Sequence, residues 1–306
     1  MKILRVLSAV SLVVALTSCQ PGAKAPAEQA VTDAKPIRIG YMICDGLGET
    51  KSRFEPLTRY LEEKTGLPFE PVYLNTFEVP EAFEKGDLDI THTNSLLYVI
   101  MREKGLEPLA GEKRGSLGFM SAGGIVVKAD SPIVEMADLA GKRMAFGPQL
   151  APTGFLSQYE LLLDAGIDPE MDLDYYAIPG GAYKHEKVVY GVWMGAYDAA
   201  AVPLLDLEFM IRDGKIGPDD LRIIAQSDPI PYCVFGIAPG VVPERAARIR
   251  SLLLNLLPAD TVALDGEVRS VLKSAGVEGF VPIEDSDFDR VREMARKTKM
   301  PPYQEF

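Results

Sequence analysis

From Lys35 onward, short apolar runs alternate with stretches whose apolar residues recur every three or four positions. The first kind predicts buried strands and the second amphipathic helices. Strands are expected at PIRIGYMI, PFEPVYL, LDIT and LEPLAG, with helices between them. The first helix, SRFEPLTRYLEEKTG, carries Phe54, Leu57 and Leu61 on one face and ends at Gly66. A long apolar run, LGFMSAGGIVVKAD, is broken by Gly123 and Gly124, read as turn or hinge glycines, and suits a segment crossing between two lobes. Beyond it the alternation resumes: a strand ending in RMAFG, the helix APTGFLSQYELLLDAG, the strand DLDYYAI, the helix AYKHEKVVYGVWMG and the strand YDAAAV. LRIIAQS and YCVFGIAP are further strands, the second returning to the first lobe. Three C-terminal helices are expected at PERAARIRSLLLNLL, DGEVRSVLKSAG and DSDFDRVREMARKT. Alternation of this kind predicts an α/β fold with largely parallel sheets. The organisation expected is two interleaved α/β lobes with a cleft at the hinge, one built from 37–120 plus 233–306 and the other from 121–232.

The N-terminus follows a different pattern. MKILR is basic, VLSAVSLVVAL is apolar over too short a span to cross a bilayer as a helix, and LTSC ends in small residues. This reads as a secretory signal over 1–19. Leu16-Thr17-Ser18-Cys19 resembles a bacterial lipobox, which implies lipidation at Cys19 and anchoring to a membrane facing the periplasm or the cell exterior. Residues 20–36, rich in Ala, Pro and polar residues, suit a flexible tether.

The formal net charge of −12 makes a nucleic-acid partner a poor expectation, because phosphate backbones are held by clustered Lys and Arg. A small anion in a closed cleft is not excluded, since local donors and dipoles govern it. In an exported chain, Cys44 and Cys233 raise the question of a disulfide that sequence leaves open. There is no G-x-S-x-G, H-E-x-x-H, C-x-x-C or Walker A pattern. Neither a catalytic centre nor a resident metal or cofactor is expected.

RFEPLTRYLEEKTG, EAFEKGDLDI, ADSPIVEMADLAGKRMAFG, PTGFLSQYELLLDAGIDPE, HEKVVYGVWMGAYDAAAV and SDPIPYCVFGI stand in an order and spacing that resemble the phosphonate/phosphite-binding proteins of ABC importers. The resemblance implies a type II periplasmic binding protein, commonly a monomer, whose lobes close over a small oxyanion for presentation to a membrane permease. Where such proteins carry a Ser-Thr-Ser run at a helix start, this chain has Ala151-Pro152-Thr153 before Gly154. Only Thr153 keeps a hydroxyl, and Pro152 lacks an N–H. The resemblance implies an oxyanion contact at His185. Thr93 and Thr76 fall where aromatic site residues are expected, with Asn94 beside the first and Tyr183 at a helix entry near His185. Two acids that would recognise an amino group are replaced by Leu205 and Cys233, which argues against an aminophosphonate. Cys44, in the loop ICDGLGET, faces the cleft in this fold. A thiol and imidazole lining also suits arsenite or a soft metal ion. Two alternatives therefore stand beside transport: a ligand-sensing subunit for a membrane histidine kinase, with arsenite bound through a cysteine, and an enzyme on the same fold.

Overall fold

Two separate mixed sheets organise the chain. The computed structural model describes residues 35–44 and 46–304. Cys19, the predicted signal and all of the tether before Lys35 lie outside the described residues. From Lys35 onward the chain forms one compact unit.

The first sheet takes its strands from both ends of that unit: β1 (Ile37–Met42), β2 (Phe69–Leu74), β3 (Ile90–Asn94), β4 (Glu107–Lys113), β12 (Cys233–Ile237) and β15 (Gly279–Val281). Their order is β15-β4-β12-β3-β1-β2. The second sheet comes from the middle: β6 (Gly123–Lys128), β7 (Arg143–Ala145), β8 (Tyr175–Ala177), β9 (Ala199–Pro203) and β10 (Leu221–Gln226), ordered β10-β6-β9-β7-β8. β5 (Met120–Ser121) pairs antiparallel with β11 (Ile230–Pro231), Ser121 opposite Ile230 and Met120 opposite Pro231. The two segments that pass between the sheets thus run side by side as a short ribbon.

The helices follow the expected periodicity in most places. α1 (Leu47–Thr65) buries Phe54, Leu57 and Leu61 completely and ends on Gly66 in the left-handed conformation, whose N–H returns to Glu62 O at 2.8 Å. α2 (Glu78–Glu84), α3 (Ser95–Arg102), α4 (Ser157–Asp164) and α5 (His185–Trp193) occupy predicted positions. So do α7 (Pro243–Leu254) and α9 (Asp289–Lys297).

Four expectations are corrected. The sheets are mixed rather than largely parallel: β1 pairs parallel with β2 and β3, and β7 with β8 and β9, but β12, β4, β15, β6 and β10 pair antiparallel. A helix not anticipated, α6 (Leu204–Arg212), follows β9 directly, with Pro203 ending the strand and capping the helix. The helix expected over 265–276 is instead a hairpin, β13 (Thr261–Leu264) and β14 (Glu267–Ser270), followed by the single turn α8 (Val271–Ala275). Asp265 and Gly266, at φ 52° and 80°, make its two-residue turn with both central residues left-handed. Finally, Gly123 and Gly124 are not turn or hinge residues but lie inside β6. A side chain at Gly123 would collide with Ser157 Oγ and Gln158 Nε2, so glycine there permits helix α4 to press against the strand.

Candidate ligand-binding site

The carboxyl ends of β1, β3 and β9 all reach one cavity of about 610 Å³, through Met42, Asn94 and Pro203. In open α/β sheets this is where ligands bind, because the chain turns there from strand into helix. Five helices begin on the cavity wall. Gly48 and Glu49 stand in the first turn of α1, Asn94 caps α3, and Pro203 caps α6. Lys184, His185 and Glu186 form the start of α5. Pro152 and Thr153 open the wide turn Pro152–Leu156 that leads into α4. Each helix start carries backbone N–H groups without helical partners and the positive end of a dipole, so their convergence favours an anion.

Local contacts fix these starts. Asn94 accepts from Leu97 N–H at 2.9 Å, and its amide donates to Leu150 O at 3.0 Å, joining the end of β3 to the loop before Thr153. Gln158, fully buried, donates to Thr153 O at 2.7 Å and to Val202 O at 3.0 Å, tying the Thr153 turn to β9. In the same turn, the N–H groups of Phe155 and Leu156 both bond Ala151 O, at 3.0 and 3.1 Å. The His185 ring packs on backbone. A side chain at Gly147 would stand 2.7 Å from its Cε1, and one at Gly154 would stand 2.9 Å from its Nδ1. Glycine at both places lets the ring lie flat against the chain.

Charge in the cavity is mixed and largely compensated. Lys184 pairs with Glu49 at 2.7 Å and Lys215 with Glu186 at 2.5 Å. Arg53 lines the wall and donates to Ala275 O at 3.0 Å. Arg114 lies between Phe209 and Tyr232, its guanidinium carbon 5.5 and 5.4 Å from the ring centroids. Its Nε is buried without a hydrogen-bond partner. Burial alone would lower the Arg114 pKa, but Tyr232, Glu112, Cys233 and Asp206 together raise it, so the guanidinium stays charged. Beneath the cavity, His92 Nε2 and Glu112 Oε1 are 2.8 Å apart with almost no exposure. Burial pushes the Glu112 carboxyl up, yet His92, Arg114 and Arg53 outweigh it and hold the group below the usual carboxylate range. Burial pushes the Cys233 thiol well up, with Glu112 and Cys44 adding to the effect.

Of the residues singled out in the sequence, Cys44, Thr76, Asn94, Thr153, Tyr183, His185 and Cys233 all lie on the cavity wall. Two do not. Thr93 is fully buried on the opposite face of β3, because strand alternation turns His92 and Asn94 to the cavity and Thr91 and Thr93 away from it. Gly154 does not line the cavity but sits beneath the His185 ring. Cys44 and Cys233 form no disulfide. Sequence reading passed over Arg53, Arg114, Tyr232 and Asp206, all on the wall. Asp206 neighbours Leu205, the position read as a lost acid, so the cavity keeps a carboxylate there. A signal for Arg114 was present in GEKRG, where three consecutive charged residues close an otherwise apolar strand, but such a cluster ordinarily marks a solvated loop.

Two mixed α/β sheets joined by paired crossovers, with a cavity at their strand ends, define the periplasmic-binding-protein class. Residues 42–288 match the family described as "ABC transporter, phosphonate, periplasmic substrate-binding protein", and the chain belongs to that family. It is 24% identical over 319 residues to the phosphate-import protein PhnD of Mycolicibacterium smegmatis, covering 96% of each chain. It is 27% identical over 260 residues to the tetrathionate sensor histidine kinase TtrS of Salmonella typhimurium, covering 76% of this chain and 43% of that one. Among solved structures, PhnD1 of Prochlorococcus marinus in complex with methylphosphonate shares the fold, with a TM-score of 0.72 at 17% identity, covering 86% of this chain and 98% of that one. Among the described residues no helix is long and apolar enough to cross a membrane.

Proposed function

We propose that the chain captures a small oxyanion of the phosphate or phosphonate kind outside the cytoplasm and presents it to an ABC permease. The observation that carries this reading is the convergence of five helix starts, with Arg114, on one cavity. Thr153 donates to the anion through its Oγ1 and its backbone N–H, His185 contacts it from the facing helix start, and Arg114 supplies buried positive charge. Cys44, Thr76, Asn94, Tyr183 and Cys233 shape the remaining wall. The segments 37–120 plus 233–306 and 121–232 act as two lobes, and the ribbon of β5 and β11 is the hinge about which they close. Cys19 anchors the chain by lipid. The chain binds reversibly and turns nothing over.

A second reading keeps the fold and changes the ligand. Two thiols, Cys44 and Cys233, stand on the wall of a cavity that also presents His92 and His185. That lining, with a tetrathionate sensor among the relatives, favours a sensing role toward a thiophilic ligand. A thermal-shift panel separates the two. Phosphate, phosphite, methylphosphonate, sulfate, tetrathionate and arsenite are compared with and without reductant. The transport reading predicts a shift with a phosphorus oxyanion that survives Cys233→Ala and is lost in His185→Ala. A shift confined to tetrathionate or arsenite and lost in Cys233→Ala supports the sensor and overturns the first reading.

A further inference from the structure

Three adjacent strands bring a nitrogen, an oxygen and a sulfur donor to one face of the first sheet. β12 lies between β3 and β4, and its pairing sets Phe235 opposite His92 and Val234 opposite Gly111. With alternate residues sharing a face, His92, Cys233 and Glu112 point the same way. Their donor atoms all lie within 4.8 Å of one another, and all three residues are buried. A tetrahedral site with bonds of about 2.0–2.3 Å places its donors roughly 3.3–3.8 Å apart, so closing this set takes side-chain movements of about 1 Å.

Two further observations point to a ligand. His92 Nδ1 and Glu112 Oε2 are buried without a hydrogen-bond partner, although a packed core satisfies nearly every such atom. And the triad is reachable, because both His92 and Cys233 line the cavity. The surroundings also select the kind of ion. Tyr41, Phe54 and Phe235 enclose the imidazole, at centroid distances of 6.1, 4.4 and 4.9 Å, leaving little room for the water shell a hard cation keeps. Arg114 and Arg53 oppose any cation electrostatically. An ion that bonds covalently to a thiolate best offsets that opposition.

We propose that His92, Glu112 and Cys233 form a binding site for a soft or borderline divalent cation, Zn²⁺ or Cd²⁺, at the floor of the cavity. On binding, the Cys233 S–H bond breaks, its proton passes to solvent and the sulfur lone pair forms the bond to the metal. No electron is transferred. With His92 ligating as the neutral imidazole and Glu112 as the carboxylate, the thiol proton is the one that leaves while two positive charges arrive, so the floor gains one net positive charge. If the oxyanion reading above holds, metal and oxyanion therefore strengthen each other's binding.

The test is a titration of the full-length, chelator-treated and reduced chain with Cd²⁺ in the absence of any oxyanion ligand, followed by the ultraviolet thiolate-to-cadmium charge-transfer band. Because no oxyanion is present, failure here and failure of the transport reading are separate results. The band is expected to saturate at one ion per chain, to persist in Cys19→Ser and to vanish in Cys233→Ser. Glu112→Gln should bind Cd²⁺ about tenfold more weakly or worse, which decides the matter if Cys233→Ser does not fold. No saturable band in the parent chain, a band undiminished in folded Cys233→Ser, or unchanged affinity in Glu112→Gln overturns the site.

Discussion

Replacing Gly154 with alanine tests how the cavity holds His185. Gly154 has ordinary right-handed backbone geometry, so alanine meets no conformational penalty there, and inside a helical turn it gains up to about 1 kcal/mol of propensity. The new methyl carbon, however, would stand 2.9 Å from His185 Nδ1 and closer still to Cε1, where ordinary contact begins at 3.4 Å. The ring must therefore retreat by about 1 Å to clear Cε1, which would stand 2.4 Å away, and its alignment toward the cavity is lost. A hydrogen bond to a charged ligand is worth about 1.5–3 kcal/mol. Losing it weakens binding by roughly 10- to 150-fold. Isothermal titration with methylphosphonate or phosphate reads the change, and chemical unfolding reads stability in parallel. Weakened binding with stability unchanged or slightly raised is the expected pair. Affinity within twofold of the parent would refute the idea that the imidazole, seated on Gly147 and Gly154, grips the ligand.

Further outcomes follow from the same structure. Gln158→Leu removes the donor from the buried carbonyls of Thr153 and Val202, at about 1–3 kcal/mol each, so urea unfolding should show a loss of about 2–6 kcal/mol. A loss below 1 kcal/mol would mean those carbonyls find other donors. Arg114→Met keeps the packing against Phe209 and Tyr232 but removes the charge. Oxyanion affinity should fall at least about tenfold at low salt. In Asp198, Arg143 at 2.9 Å holds the carboxyl below its ordinary 3.8. A depressed folded value means that the contribution is present above the unfolded value, about pH 4, and is lost as pH falls below it through the lower folded value. Thermal melts of Asp198→Asn against the parent should differ by a constant amount near neutrality and converge in acid. A gap that widens on acidification would contradict the assignment.

The alternation of apolar runs carried most of the fold, because strand and helix periods differ and burial enforces them. It failed where a local signal was overruled or overlooked. DGEVRSVLKSAG has helical composition, yet its Asp-Gly pair is a strong two-residue hairpin signal, and the turn prevailed. LLDLEFMIR follows β9 without a polar break, so nothing but Pro203 marked where strand became helix. In the site, Thr153 and His185 were reachable through the family resemblance, which marks positions on helix starts. Thr93 was placed wrongly because a resemblance does not carry the phase of a strand, and a shift of one residue turns a side chain to the other face. Arg114 and Asp206 could not be read as site residues, since distant parts of the chain bring them to the wall.

A phosphorus oxyanion is expected to sit among these helix starts. A crystal structure of the chain grown with methylphosphonate tests it most directly. The expected result is a phosphonate group in the cavity with its oxygens in hydrogen-bond reach of the Thr153 hydroxyl and N–H and of His185, and Arg114 beside them. A cavity without phosphonate at saturating concentration, or a phosphonate bound elsewhere, would contradict it.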